Sequence, residues 1–411
     1  MPLEPARVVE ELRELHALTA DEQGAQRVCW TPVWRKTREW YRAKLEALPA
    51  ELEEDEAGNL WATLSGESDR ALLIGGHLDS VENGGWLDGC LNVLAGLEVM
   101  RRVAEQGPPP VTVRLVDWAD EEGFRFGRSL FGSSAVSGSL DPDDFRGLRD
   151  RDGIALPDAL ADFGVDLDRA REARRQLEGA GAYLELHIEQ GPVLEHLGLP
   201  LGVVLGTYGV ERHIVTFTGQ RAHVGAAPMH LRRDAVAGAA RLVAAGRRIA
   251  VAAGGVTTVG TIETPGGIVT AVAPRCTLAF DQRHLDPEVL AGMLAEARSE
   301  AQRIAEEEKL GVEWAPQWRI PPRPFDSELI DLADEAVRET VGRSHRMPSG
   351  ALHDAAEVAG AGVPTVMLFV QSLGGLSHNK DEDTREEDIE ASVAALDRLA
   401  TGAIAWLAVR P

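Results

Sequence analysis

Four apolar, strand-like runs in this chain each deliver a metal-competent side chain at the run's end or just beyond it. The first, in "LLIGGHLDSVENGGWLDGCLNVLAGLEVM", ends at His77, with Asp79 two residues on and Asp88 among Gly84, Gly85 and Gly89. The second, "VTVRLVDWADEEGFRFG", runs into Glu121 and Glu122. The third, "AYLELHIEQGPVLE", alternates: Leu184, Leu186 and Ile188 share one face, and Glu185, His187 and Glu189 the other. The fourth, "PTVMLFVQSLGGLSHNKDEDT", passes through a glycine turn to His378. Any one of these has a bland explanation. Asp88 could cap a helix, His187 could lie on a solvated polar face, and adjacent glutamates also occur at Glu306 and Glu307. The recurrence at four strand ends is what argues for a site, because that edge is where open α/β sheets bind ligands.

The donor set is His77, Asp88, Glu122, His187 and His378, with Glu121 left over as a base. Three imidazoles and two carboxylates exceed what a single catalytic zinc takes, which is three protein ligands and an open position. They suit two cations about 3.5–4 Å apart with one carboxylate between them, and Asp88, flanked by glycine, is the expected bridge. Asp79 is placed to hold the His77 ring. Mixed imidazole and carboxylate donors suit zinc, manganese, cobalt or nickel about equally.

Positioning such a set requires a layered α/β framework. "RVVEELRELHAL" and "VWRKTREWYRAKLEAL" read as helices, "LWATLSG" and "RALLIGG" as strands, "CLNVLAGLEVMRRVAEQG" as a helix and "VTVRLVDWA" as a strand. That alternation predicts an α/β class with a mixed, mostly parallel sheet flanked by helices. From about residue 208 the order becomes β-α-β-β-α-β, the ferredoxin-like split unit, and after "IPPRPF" the α/β rhythm resumes. The expected organisation is therefore a catalytic domain over 1–207 and 322–411, with an inserted α+β domain over 208–321.

Charge narrows the partners. The net charge of −24 repels phosphate backbones and anionic lipid, and no basic stripe offsets it, so neither nucleic acid nor a membrane surface is expected. No apolar run is read as reaching the roughly 18 residues of a membrane span. The start, "MPLEPARVVEELRELH", reads as a charged amphipathic helix and not as a signal peptide. Cys29, Cys90 and Cys276 are few and scattered, which fits a reduced, cytoplasmic setting.

The order of "GGHLDSVENGGWLDG", "DEEGFRFG", "ELHIEQGPVLE", "GQRAHVGAAPM" and "GGLSHNKDE" resembles the dinuclear-metal M20 peptidase superfamily, specifically its hydantoinase/carbamoylase branch. That branch holds N-carbamoyl-L-amino acid hydrolases, β-ureidopropionases and allantoate amidohydrolases. The resemblance implies that His77, Asp88 and His187 hold one metal, and Asp88, Glu122 and His378 the other. It implies Glu121 as general base, Asp79 as the partner of His77, and His223, reached across a homodimer, as an oxyanion-stabilising group. Gln190, Arg283 and His353 fall at or beside positions that contact substrate, with Arg283 pairing a substrate carboxylate. The inserted domain is expected to act as a dimerising lid that closes over the site. The implied reaction is hydrolysis of the carbamoyl C–N bond of an N-carbamoyl-L-amino acid by a hydroxide bridging the metals; allantoate, ureidoglycolate or another N-acyl amino acid is the alternative substrate. Two departures stand out: "TAVAPRC" puts Thr270 or Ala271 where the family has asparagine, and Leu352 replaces a common glycine beside His353.

Overall fold

The computed structural model describes residues 2–410. Along the chain come α1 (Pro5–Thr19), α2 (Pro32–Leu45), β1 (Glu51–Glu54), β2 (Leu60–Leu64), β3 (Ala71–His77), α3 (Cys90–Glu105), β4 (Thr112–Trp118), β5 (Ala180–Ile188) and β6 (Leu201–Thr207). Then follow β7 (Gly209–Thr218), α4 (Ala235–Ala253), β8 (Val256–Glu263), β9 (Arg275–His284), α5 (Pro287–Glu308) and β10 (Gly311–Ile320). The last elements are α6 (Ser327–Val341), β11 (Thr365–Val370) and α7 (Glu386–Ala408). Several helices start where the sequence supplies an acceptor for their free N–H groups: Thr31, Asp234, Asp286 and Asp326 each cap the helix that follows.

The described residues divide into two compact units, the first made of residues 2–206 and 325–410 and the second of Thr207–Pro324. In the first unit the sheet runs β6-β11-β5-β3-β4-β2-β1. Its four middle strands are parallel, and β6, β2 and β1 are antiparallel additions at its sides. The chain leaves β3 through α3 to β4 on one side, and β5 lies on the other. The carboxyl end of β3, where His77 sits, is thus a switch point of the sheet.

Helices cover both faces of this sheet, so β3 is buried throughout, and β5 from Ala182 onward. That removes the alternative that His187 lies on a solvated polar face of β5. Glu185 and His187 are 1% and 3% exposed, and the Glu185 carboxylate accepts from the Tyr183 hydroxyl and the Ala355 N–H. Helix α7 also departs from expectation. By length and composition it could cross a membrane, but its Ile389, Val393, Leu396 and Leu399 are buried in the core.

A buried ion pair fixes the edge beside His77. The Asp117 carboxylate accepts from Arg38 Nε at 2.8 Å and from the Leu78 N–H at 2.9 Å. Burial outweighs the guanidinium and holds Asp117 up at about 6. Arg38→Ala would leave this carboxylate buried and unpaired, so it is expected to cost about 3–5 kcal/mol of unfolding free energy, measured by urea denaturation.

In the second unit the four-stranded antiparallel sheet has the order β8-β9-β7-β10. Helices α4 and α5 cover the face carrying Cys276, Leu278 and Phe280, with Val215, Phe217, Leu242 and Ile249 in the same core. Register puts Arg212 opposite Asp281, and Arg283 follows two residues along β9 on the same side, facing away from those helices.

Candidate metal centre

Each donor is delivered from the carboxyl edge of the first unit's sheet. His77 ends β3, Asp88 lies in the loop before α3, Glu121 and Glu122 follow β4 by three and four residues, His187 is near the end of β5, and His378 follows β11. Asp88 does not cap α3. The capping position is Gly89 at φ 68°, and a Cβ there would sit 2.4 Å from the His77 ring and carbonyl, so only glycine lets Asp88 approach.

The two oxygens of Asp88 face different groups. Oδ1 is 3.6 Å from His77 Nε2 and 3.2 Å from His187 Nε2, and Oδ2 is 3.7 Å from His378 Nε2. His378 Nε2 is in turn 3.2 Å from Glu122 Oε2. Two donor sets result, His77–Asp88–His187 and Asp88–Glu122–His378, each with all its ligand atoms within 4.8 Å of one another. The rings are held from behind: His77 Nδ1 lies 3.1 Å from the Asp79 carbonyl, and His187 Nδ1 lies 2.9 Å from the Ile188 carbonyl. With both Nδ1 atoms engaged, both Nε2 atoms face Asp88.

These residues fit divalent cations. His77 Nε2 and Glu122 Oε1 are buried without a hydrogen-bond partner. Burial holds Glu121 well above the usual carboxylate range, opposed by His77 and reinforced by Asp354, Glu122 and Asp79. Glu122 is raised by burial and then by Asp88. Burial would raise Asp88 too, but the hydrogen bond and charge of His187 win and hold it low. Carboxylates crowded until they retain protons are completed electrostatically by a bound cation.

Glu121 belongs to neither donor set; its Oε2 lies 3.7 Å from His77 Nε2. Its loop is organised by Asp79, whose carboxylate accepts the N–H groups of Glu121 and Glu122 at 3.3 and 3.2 Å. Asp79 therefore faces the His77 ring and also shapes the Glu121–Glu122 turn. Gln190 donates through Nε2 to Asp88 Oδ2 and to Ser377. Asp120, Gln190 and His378 hold left-handed backbone at φ 58°, 57° and 54°, at a cost of about 1–3 kcal/mol each. His353 is buried with its ring 4.5 Å from that of His187, and its Nε2 lies 3.0 Å from the Ser349 hydroxyl.

His223 and Arg283 belong to the second unit. His223 is exposed, in a two-residue strand that pairs it with Ala271, so the "TAVAPRC" departure lies beside it. The Gly225 N–H donates to His223 Nδ1, which leaves the ring proton on Nε2. Arg283 Nε donates to Asp281, which also takes Arg212.

Sequence reasoning missed Glu382. It lies inside the acidic run "NKDEDTREED", yet it is 1% exposed and accepts the N–H groups of Leu87 and Asp88. No local signal separates it from its solvated neighbours. A cavity of about 890 Å³ lined by Trp30, Phe124, Arg125 and Phe163 lies in the first unit, and no donor-set residue lines it.

The model of peptidase family M20/M25/M40 matches residues 73–402, a span that begins in β3, ends in α7 and contains every donor. The chain belongs to that family. This M20 protein is 36% identical over 382 residues to an N-carbamoyl-L-amino acid amidohydrolase from Geobacillus stearothermophilus, covering 91% of this chain and 92% of the relative. It is 34% identical over 395 residues to an allantoate amidohydrolase from Escherichia coli, covering 95% of each. A crystal structure of a hydantoinase/carbamoylase family amidase from Burkholderia multivorans matches it with a TM-score of 0.87 at 30% identity, over 100% of this chain and 99% of that one. By family, this M20 protein is a metal-dependent hydrolase.

Proposed function

We propose that this M20 protein hydrolyses the carbamoyl C–N bond of N-carbamoyl-L-amino acids. The observation that carries the reading is the division of Asp88 between two donor sets, with Glu121 beside them but in neither. His77, Asp88 and His187 would hold one divalent cation, and Asp88, Glu122 and His378 a second. Zinc, manganese, cobalt and nickel all suit these donors.

When bound, the cations supply Lewis acidity and make water a stronger acid near neutral pH. Glu121 accepts the proton of the attacking water and delivers a proton to the leaving nitrogen. Asp79 keeps Glu121 in place through its backbone N–H. From the second unit the reading takes His223, protonated on Nε2, as donor to the developing oxyanion, and Arg283, oriented by Asp281, as partner of a substrate carboxylate. One water per ureido group then yields the amino acid, carbon dioxide and ammonia. The reading also takes Gln190, which donates to Asp88, and His353, whose ring lies 4.5 Å from that of His187, as substrate contacts.

The reading includes a homodimer formed through the second unit, where Val269, Met229 and Val251 are 97%, 76% and 75% exposed. Three buried cysteines, all free, suit the cytoplasm.

Allantoate hydrolysis is the second reading, favoured by the "TAVAPRC" segment, which puts Thr270 or Ala271 where the family has asparagine and pairs Ala271 with His223. Ammonia release from N-carbamoyl-L- and D-amino acids, N-carbamoyl-β-alanine and allantoate tests both. The first reading expects turnover of the N-carbamoyl-L-amino acids and loses to the second if allantoate alone is hydrolysed. An inactive panel removes both substrate assignments.

A further inference from the structure

Two loops meet at Asp88. One, residues 78–89, carries Asp88 itself; the other follows β11 and carries His378. Glu382 joins them. Its Oε1 accepts the N–H of Asp88 at 3.0 Å and that of Leu87 at 3.3 Å, across 294 and 295 residues of chain. A second tie runs beside it, from Trp86 Nε1 to Asp383 Oδ1 at 3.2 Å. The close approach depends on Gly85, since a Cβ there would meet Glu382 Oε1 at 2.2 Å and its Cδ at 2.3 Å.

The two donor sets differ in what holds them. His77 and His187 are buried on strands of the central sheet, and their Nδ1 atoms lie against backbone carbonyls. His378 sits on a loop in left-handed backbone with its side chain half exposed. The separation of Asp88 from His378 therefore depends on how the two loops are joined.

We propose that Glu382 is a positioning residue that clamps the Asp88 loop to the His378 loop and so sets the Asp88–Glu122–His378 donors for their cation. The clamp rests on the two-cation reading above. It acts through a carbonyl-type oxygen accepting two backbone N–H groups, a role that glutamine can fill and alanine cannot.

The test is a calorimetric titration of the metal-free protein with Zn²⁺, comparing the parent with Glu382→Ala, Glu382→Gln and Gly85→Ala. The parent takes up two equivalents. In Glu382→Ala the first binds as in the parent and the second binds about 10–100-fold more weakly, the usual effect of losing an outer partner of a metal ligand. Glu382→Gln restores the second site. Gly85→Ala reproduces the loss by displacing the carboxylate while leaving every hydrogen-bonding group present, and it decides the matter if Glu382→Ala does not fold. Two equivalents of parental affinity in the alanine variants overturn the clamp and leave the two-cation reading intact, as does a glutamine variant no better than alanine. Fewer than two equivalents in the parent overturn that reading and the clamp with it.

Discussion

Glu121→Gln is expected to lower kcat by about 10²–10⁴-fold, the contribution of a positioned general base, while metal content stays at the parental level. The side chain is in neither donor set, so the neutral amide removes a proton carrier without removing a ligand. The backbone anchor survives, because Asp79 holds the residue through its N–H and not its carboxyl. Folding should not suffer either. Glu121 is a carboxylate that burial, Glu122, Asp354 and Asp79 all disfavour in its charged form, and glutamine removes that charge. The measurements are kcat at saturating substrate, elemental analysis of the purified variant and its thermal midpoint. Turnover within about tenfold of the parent would mean that the proton travels by another group.

Asp88→Ala should have the larger effect on the metals. Its Oδ1 faces His77 and His187, and its Oδ2 faces His378, so a single truncation removes a donor from both sets. Affinity at both is expected to fall by more than the roughly 10–100-fold that follows loss of an outer partner, and activity should go with it. Linkage provides a readout independent of turnover. A cation that binds only the folded state raises the parent's thermal midpoint, and the rise should vanish in Asp88→Ala. His378→Ala, lacking a donor from one set only, should retain part of it. An unchanged metal-dependent rise in Asp88→Ala would remove Asp88 from the centre.

Much of the molecule was legible because the relevant signals are local. An apolar run with a donor at its end or just beyond it marks a strand end, and the runs ending at His77 and leading to Glu121, His187 and His378 are all such cases. The β-α-β-β-α-β rhythm between about 208 and 321 is likewise written in periodicity, and the second unit has those elements in that order. Burial was not legible on β5. Alternation of Leu184, Leu186 and Ile188 with Glu185, His187 and Glu189 leaves a solvated face open as an alternative, but coverage of both faces of the sheet buries all of them. Helix α7 shows the converse: an apolar helix whose environment is settled by what packs on it.

By itself, then, the amino-acid order determined which elements form, which side chains are delivered at their ends and which family the motifs resemble, since each depends on neighbours a few residues apart. Only the tertiary structure decided which oxygen of Asp88 faces which imidazole, that Asp79 holds the Glu121–Glu122 turn, and that Glu382 leaves its acidic run to hold the Asp88 loop. Those contacts join residues tens to hundreds of positions apart, and their energies depend on burial and distance, quantities that exist once the chain has closed on itself.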